Sequence, residues 1–366
     1  MGDPGFDTIN ERTSAILGNA VDGNIPSIEE VNYLSELSSI EDNLAIFNTA
    51  RIIRERNFGK KIFLYGFVYF STYCRNNCSF CYYRKTSDIP PRYRKNLDDV
   101  MDAVGCLEKS GIHLIDLTMG EDPEICEEKS YAPLIEMCKT IKETYKLPIM
   151  VSPGVVPESF LKEVSRIGVD WLALYQETHN RKLFSKLRLG QSFDERVNAR
   201  VTALKEGLLV EDGVLLGVGE SQQDIVNSIF EMKKLGVQQV RAMGLTPQEG
   251  TPLANLSSPP ILDEMRTIAL MRLVHQDRLI PASYDVDGMK GLELRLIAGA
   301  NVVTSIIPPE MGLHGVAQSS LNIDNCMRTI QGISPYLNRL GLEPSSRKAY
   351  CDWINKEKAL LLEARK

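Results

Sequence analysis

The chain has 366 residues, of which 43% are hydrophobic and 25% charged, an ordinary globular composition that allows one large domain or two small ones. A formal net charge of −6 speaks against a nucleic-acid surface, and no apolar run approaches membrane-spanning length. The first residues lack the charged-then-apolar layout of a secretory signal, and Phe6 occupies the Ser/Thr position of a myristoylation motif.

Residues 1–60 read as helical. Ser27 with Glu30 fits a capping box, Ser39 with Asp42 a similar start, and Ile46, Ala50 and Ile53 recur at helical spacing. From "KIFLYGFVYF" onward, short β-branched and apolar runs alternate with longer amphipathic ones. Strands are predicted at 62–70, 113–118, 147–152, 169–175, 213–217, 237–243, 278–285 and 301–306. Helices are predicted between them at 97–110, 131–145, 157–167, 193–207, 222–235, 262–276 and 289–298. Eight strand–helix units predict an α/β fold, a closed (β/α)8 TIM-type barrel. The expected organisation is an N-terminal helical lead packing on the barrel (1–60), the barrel (61–315) and a C-terminal helical segment (316–366). The leading helices are candidates to close the far end of the barrel. The working residues should lie at the C-terminal ends of strands.

Eight cysteines are present. Five (Cys106, Cys126, Cys138, Cys326, Cys351) are scattered, which suits buried thiols in a reducing, cytoplasmic location better than a disulfide framework. The other three, in "STYCRNNCSFCYYR", are Cys74, Cys78 and Cys81, directly after the first strand. Neither a fourth cysteine nor a histidine lies close by. Three thiolates are what a [4Fe–4S] cluster needs when one iron must stay open to bind a ligand. A zinc site completed by a distant ligand and unrelated surface thiols are the weaker alternatives.

The spacing C-x3-C-x-aromatic-C, here Cys74, Cys78, Phe80 and Cys81, resembles the signature of the radical S-adenosylmethionine enzymes. The resemblance implies that the open iron chelates the amino and carboxylate groups of S-adenosylmethionine. It further implies a 5′-deoxyadenosyl radical that removes a substrate hydrogen. Met119-Gly120-Glu121-Asp122 resembles the family's Gly-Gly-Glu element, whose backbone meets the methionine amino group, with Met119 in place of the first glycine. A turn with an acidic cap is the alternative. Glu177, after the fourth strand, could accept bonds from ribose hydroxyls or the ammonium, and Arg196 could fork onto a carboxylate. The Glu177-Thr178 and Glu195-Arg196 pairs are similar to those of biotin synthase-like members. Arg188 and Arg200 are rivals to Arg196, which could instead pair with a helix neighbour. Gly213 to Glu220, with Gly217, resembles the element that packs against adenine, Leu215 replacing isoleucine.

Polar residues in strands that otherwise face a core are the substrate candidates: Asp116, Arg241, and Ser283 with Asp285, which share one side of a strand. Arg241 could pair internally with Asp285 or Asp116. Alternatively, two acids and one arginine complement two ammonium groups and one carboxylate, the charge pattern of lysine. "YFSTYC", "CSFCYY", "DLTMGEDP", "LALYQET", "KLRLGQSFDERVNAR", "PQEGTPL", "RLIPAS" and "GANVVTSIIPP" together resemble the methylornithine synthase family over about residues 60–315. That resemblance implies isomerisation of L-lysine to 3-methylornithine, the opening step of pyrrolysine biosynthesis. The implied route is hydrogen abstraction, fragmentation and recombination. It places Arg241 on the substrate carboxylate, and Asp116, Ser283 and Asp285 on the amines. It also implies a one-electron reductase such as flavodoxin or ferredoxin, and neither nucleic acid nor membrane as partner. Pro247-Gln248-Glu249-Gly250 is a candidate lid. Another biotin synthase-like enzyme, or a non-catalytic iron–sulfur carrier, are the rival readings. Cys106, Cys126 and Cys138 lack the tight spacing a second cluster would need.

Overall fold

The computed structural model describes residues 9–284, 287–315 and 329–363. Three helices lead: α1 (Glu11–Val21), α2 (Ile28–Glu36) and α3 (Ile40–Phe58). Each starts on a side-chain cap, from Asn10, Ser27 and Ser39, and the Ser27–Glu30 pair closes a full capping box.

Strands and helices then alternate: β1 (Lys61–Ser71), α4 (Leu97–Ser110), β2 (Leu114–Met119), α5 (Ala132–Tyr145), β3 (Ile149–Ser152), α6 (Glu158–Ile167) and β4 (Trp171–Ala173). They continue as α7 (Arg181–Leu187), α8 (Phe193–Lys205), β5 (Leu209–Leu216), α9 (Gln222–Leu235), β6 (Gln239–Gly244), α10 (Ile261–Val274), β7 (Pro281–Ser283), α11 (Gly288–Ile297) and β8 (Val302–Ile306). The eight strands run parallel in the order β6-β5-β4-β3-β2-β1-β8-β7. A Gln239–Leu279 bridge joins the two ends of that order, with Val240 N–H donating to Leu279 O at 3.0 Å. The ring is therefore a nearly closed (β/α)8 barrel. Helix α7 and a π-helical turn at Glu124–Glu128 were not expected, and β5 begins at Leu209, four residues before the predicted 213.

Side chains alternate along each strand. Ile62, Leu64, Val68 and Phe70 of β1 point outward to the helices, while Phe63, Tyr65, Phe67 and Tyr69 point into the barrel. The interior is apolar and aromatic at one end, with Leu114, Met150, Trp171 and Leu209. Toward the C-terminal ends of the strands it turns polar, with Asp116, Ser152, Glu211 and Arg241. That gradient places the site.

After the barrel come α12 (Ile330–Arg339), β9 (Glu343–Pro344), which pairs with the start of β1, and α13 (Arg347–Glu363). Helix α13 lays the floor. Tyr350 O–H donates to the Tyr65 hydroxyl at 2.7 Å, and Tyr65 donates to Gln239 Oε1 at 3.0 Å. Trp353 stacks on Trp171 at 5.9 Å, and Lys358 reaches Asp170 at 2.6 Å. The leading helices, candidates for that closure, lie mostly along the outside, with Phe58 at the end of α3 packed against the inner cluster. Helix α3 rests on α10 and α2 on α9, and Arg54 donates to Leu296 O at 2.6 Å. Among the described residues no helix is long and apolar enough to cross a membrane.

Candidate active site

Cys74, Cys78 and Cys81 sit on the irregular loop after β1, and all three line one cavity of ≈ 230 Å³ at the C-terminal end of the barrel. A loop without a ladder needs other partners for its backbone. Arg92 supplies them, donating to the carbonyls of Thr72, Tyr83, Arg84 and Ser87. Buried Asp122 anchors the loop's two ends, accepting from Ser71 Oγ at 2.5 Å and from Arg94 Nε and Nη2 at 2.6 and 2.8 Å. Ser79 N–H donates to Leu187 O, and Leu253 N–H to Ser79 O, so α7 and the 247–256 segment also grip the loop. Burial pushes the Cys74 thiol up to about 11 and the Cys81 thiol higher still, so any metal must displace their protons. Among the described residues no three His, Cys, Asp or Glu side chains converge as they would around a single ion. Three cysteine sulfurs on one cavity, with no fourth cysteine among its lining residues, are the donor set of a cluster that leaves one iron open.

Beside the sulfurs lies a cradle of small residues and buried charge. A Cβ on Gly120 would meet Tyr73 O at 2.2 Å, and one on Gly154 would meet Glu121 Cγ at 2.2 Å. Only glycine lets the β2 and β3 loops approach this closely. Glu121 is held by Arg75 Nε at 3.0 Å, and its Oε1 is 3.9 Å from Arg196 Nη1. Arg196 donates through Nε to Tyr175 O at 2.6 Å, and burial and Arg188 lower its pKa to about 9. It therefore reaches the cavity rather than a helix neighbour. Glu177 is buried at φ +66°, a left-handed strain for a non-glycine residue, and Arg188 Nη2 binds its carboxylate at 2.6 Å. Leu215, Leu245, Phe80 and Met243 make an apolar wall on the same side.

The opposite side carries strand-borne charge. Asp116 accepts from Thr118 Oγ1 and Ser152 Oγ, both on Oδ1 at 2.9 Å, which leaves Oδ2 for a ligand. Burial, reinforced by Glu211, raises its pKa to about 7. Arg241 Nε binds Glu211 Oε1 at 2.7 Å, and Tyr175 O–H donates to Glu211 Oε2 at 3.0 Å. Arg241 Nη2 is buried without a hydrogen-bond partner, an orphan that calls for an acceptor. Ser283 also lines the cavity, and above it Arg295 forks onto Glu264 at 2.6 and 2.9 Å.

The Radical SAM superfamily profile matches residues 68–232. The chain is 42% identical over 316 residues to 3-methylornithine synthase of Methanosarcina barkeri, across 86% of this chain and 89% of that protein. The crystal structure of methylornithine synthase superposes with a TM-score of 0.87 at 39% identity, covering 92% of this chain and 99% of that one. The chain belongs to the methylornithine synthase family. It is thereby an enzyme of the radical SAM superfamily. It is also 30% identical over 278 residues to the [FeFe] hydrogenase maturase subunit HydE of Thermotoga maritima, across 74% of this chain and 78% of that protein.

In this methylornithine synthase family member, Cys74, Cys78, Phe80, Cys81, Asp116, Gly120, Glu121, Glu177, Arg196, Arg241 and Ser283 all line the one cavity. Asp285 lies outside the described residues, as does Cys326. Gly217 is not among the residues that line this cavity. It adopts φ +80°, where a Cβ would meet Pro259 at 2.8 Å, and its N–H goes to Glu220 Oε1. Leu215, two residues earlier, lines the cavity in its place. Among the described residues Arg241 pairs with Glu211 rather than with the expected Asp116. Glu211 was missed because "LVED" breaks the apolar pattern of a strand, so β5 was started after it. Of the rivals to Arg196, Arg188 also lines the cavity. Arg200 lies behind it, bound to Asp212 at 2.7 Å.

Proposed function

We propose that this chain isomerises L-lysine to 3-methylornithine, for pyrrolysine biosynthesis, with a [4Fe–4S] cluster on Cys74, Cys78 and Cys81 and S-adenosylmethionine beside it. The observation that carries the substrate reading is the charge of the strand-borne side. Asp116 and Glu211 against Arg241 sum to −1 when both acids are ionised, and lysine, with two ammonium groups and one carboxylate, carries +1. Bound together, the reduced cluster and S-adenosylmethionine supply a 5′-deoxyadenosyl radical strong enough to take hydrogen from an unactivated carbon.

The residues do the rest. Phe80 and Leu215 offer the adenine an apolar wall, Glu177 accepts from ribose or the methionine ammonium, and Arg196 meets the methionine carboxylate. The backbone at Gly120 and Glu121 approaches the amino group. Arg241, its Nε fixed by Glu211, turns Nη2 to the lysine carboxylate. Asp116, with Ser152 and Thr118 fixing its plane, takes an amine through Oδ2, and Ser283 and Asp285 serve the other. Pinning both ends of lysine keeps two fragments within reach of each other until they recombine. The aromatic floor and the 247–256 segment on the cysteine loop exclude water. The barrel proper (61–315) is the catalytic body, with 1–60 as buttress and 316–366 as the source of the floor. A one-electron reductase such as flavodoxin or ferredoxin supplies the electron, in the cytoplasm.

The test is anaerobic. Protein reconstituted with iron and sulfide receives dithionite, S-adenosylmethionine and L-lysine, and mass spectrometry follows lysine, equal-mass isomers and 5′-deoxyadenosine. A branched isomer of lysine is the expected product. 5′-Deoxyadenosine without an isomer would keep the radical chemistry and reject lysine in favour of another small molecule. No 5′-deoxyadenosine from an intact reduced cluster would overturn the reading of the three cysteines and favour an iron–sulfur carrier.

A further inference from the structure

Cys78 is treated differently from the other two cysteines. The Cys74 sulfur meets a backbone amide, Asn76 N–H at 3.4 Å. The Cys78 sulfur meets two side chains instead: Gln191 Nε2 at 3.0 Å and Arg188 Nη1 at 3.6 Å. The orientation of Gln191 is fixed by its other end. Its Oε1 accepts from Arg188 Nη1 and from Arg196 Nη1, each at 3.4 Å. An amide whose oxygen is held between two guanidinium groups must present its N–H2 to the sulfur. Arg188 is itself anchored by Glu177 and lies over the Phe80 ring at 5.5 Å. Both residues belong to the "RLGQ" turn after α7, and neither is required by the cofactor contacts assigned above.

We propose that Arg188 and Gln191 raise the reduction potential of the cluster through the Cys78 sulfur; this rests on the three-cysteine reading. In the loaded protein that sulfur is a thiolate ligand. Reduction is a one-electron step, [4Fe–4S]2+ to [4Fe–4S]1+, with the electron delivered by an external one-electron donor. The added negative charge spreads onto the ligand sulfurs. A buried cation and an amide N–H aimed at one of them stabilise the reduced form more than the oxidised form. Arg188 and Gln191 are thus tuning residues: they make the cluster easier to reduce by a weak physiological donor.

The experiment is a redox titration of the reconstituted cluster followed by electron paramagnetic resonance, in wild type, Gln191→Leu, Arg188→Met and Arg188→Lys. Gln191→Leu and Arg188→Met are each expected to lower the reduced-to-oxidised ratio at the wild-type midpoint about tenfold, equivalent to a midpoint about 59 mV more negative for one electron. Arg188→Lys keeps the charge and should recover part of the shift. Unchanged or raised midpoints in variants that retain their iron would overturn the proposal. So would loss of iron from Gln191→Leu, because an amide that only donates to the sulfur is not needed to hold the cluster. If Arg188→Met takes up no iron, Gln191→Leu decides alone. A wild-type protein that binds no cluster is a different failure, that of the three-cysteine reading.

Discussion

The two sides of the cavity are built by different means. The side proposed for the cofactor is made from loops: backbone close approach at Gly120 and Gly154, a cysteine loop tied by Arg92, and a left-handed Glu177. The side proposed for the substrate is made from strands, with Asp116, Glu211 and Arg241 standing on β2, β5 and β6. Loops adapt to the outline of a large flexible cofactor, whereas strands hold charges at fixed separations. The first side should therefore fail by losing shape, and the second by losing charge while the fold persists.

The largest effect expected is on the loop side. Gly120→Ala puts a methyl where Tyr73 O stands at 2.2 Å and displaces the cysteine loop. Iron analysis of the reconstituted variant should show the cluster lost and turnover abolished. A variant with full iron and normal activity would mean the close approach is dispensable. Next comes Arg241→Ala, which leaves Glu211 buried and unpaired. Losing one partner of a buried pair costs about 3–5 kcal/mol, and lysine turnover, as kcat/KM, should fall about 10²–10³-fold with cluster absorbance unchanged. Loss of the cluster here would erase the distinction between the two sides.

Asp116 sharpens the comparison through pH. With its pKa raised to about 7 by burial, the carboxylate proposed to bind an amine is mostly present at pH 8 and mostly protonated at pH 6. Lysine KM should rise about tenfold across that window on acidification, and Asp116→Asn should flatten the profile at low activity. The stability sign is the opposite of a salt bridge. Because the folded pKa exceeds the ordinary value, the native state is favoured at low pH and loses stability as pH rises toward 7. Thermal melts at pH 8 should then find substrate-free Asp116→Asn more stable than wild type, by up to ~4 kcal/mol. The smallest effect belongs to neither side: Tyr350→Phe removes the Tyr65 hydroxyl contact, costs ~1 kcal/mol, and should leave turnover unchanged.

The same division decided what could be read from the sequence. Loop motifs are contiguous, so Cys74, Cys78 and Cys81 announced themselves by spacing and Gly120–Glu121 by order. The barrel was legible because β-branched runs alternate with helical ones, and the predicted 97–110 and 222–235 helices coincide with α4 and α9. Glu211 was hidden because a buried acid has no local signature; only its partners Arg241 and Tyr175, 30 and 36 residues away, make it intelligible. Gly217 shows the converse: its glycine has a local explanation, a left-handed turn that gives its N–H to Glu220 and packs on Pro259. The role of α13 was equally invisible, since amphipathic periodicity says that a helix packs, not where.

The floor of the barrel has a consequence for how the protein is made. Tyr65 is an early strand residue and Tyr350 lies 285 positions downstream. Until the ribosome has synthesised that distant helix, the inward ring of Phe63, Tyr65, Leu114, Met150 and Trp171 lacks the cover of Tyr350, Trp353 and Ile354. Long-range closures of this kind are slow and aggregation-exposed in general. The hydroxyl pair thus ties the first strand of the barrel to a helix encoded almost at the end of the chain.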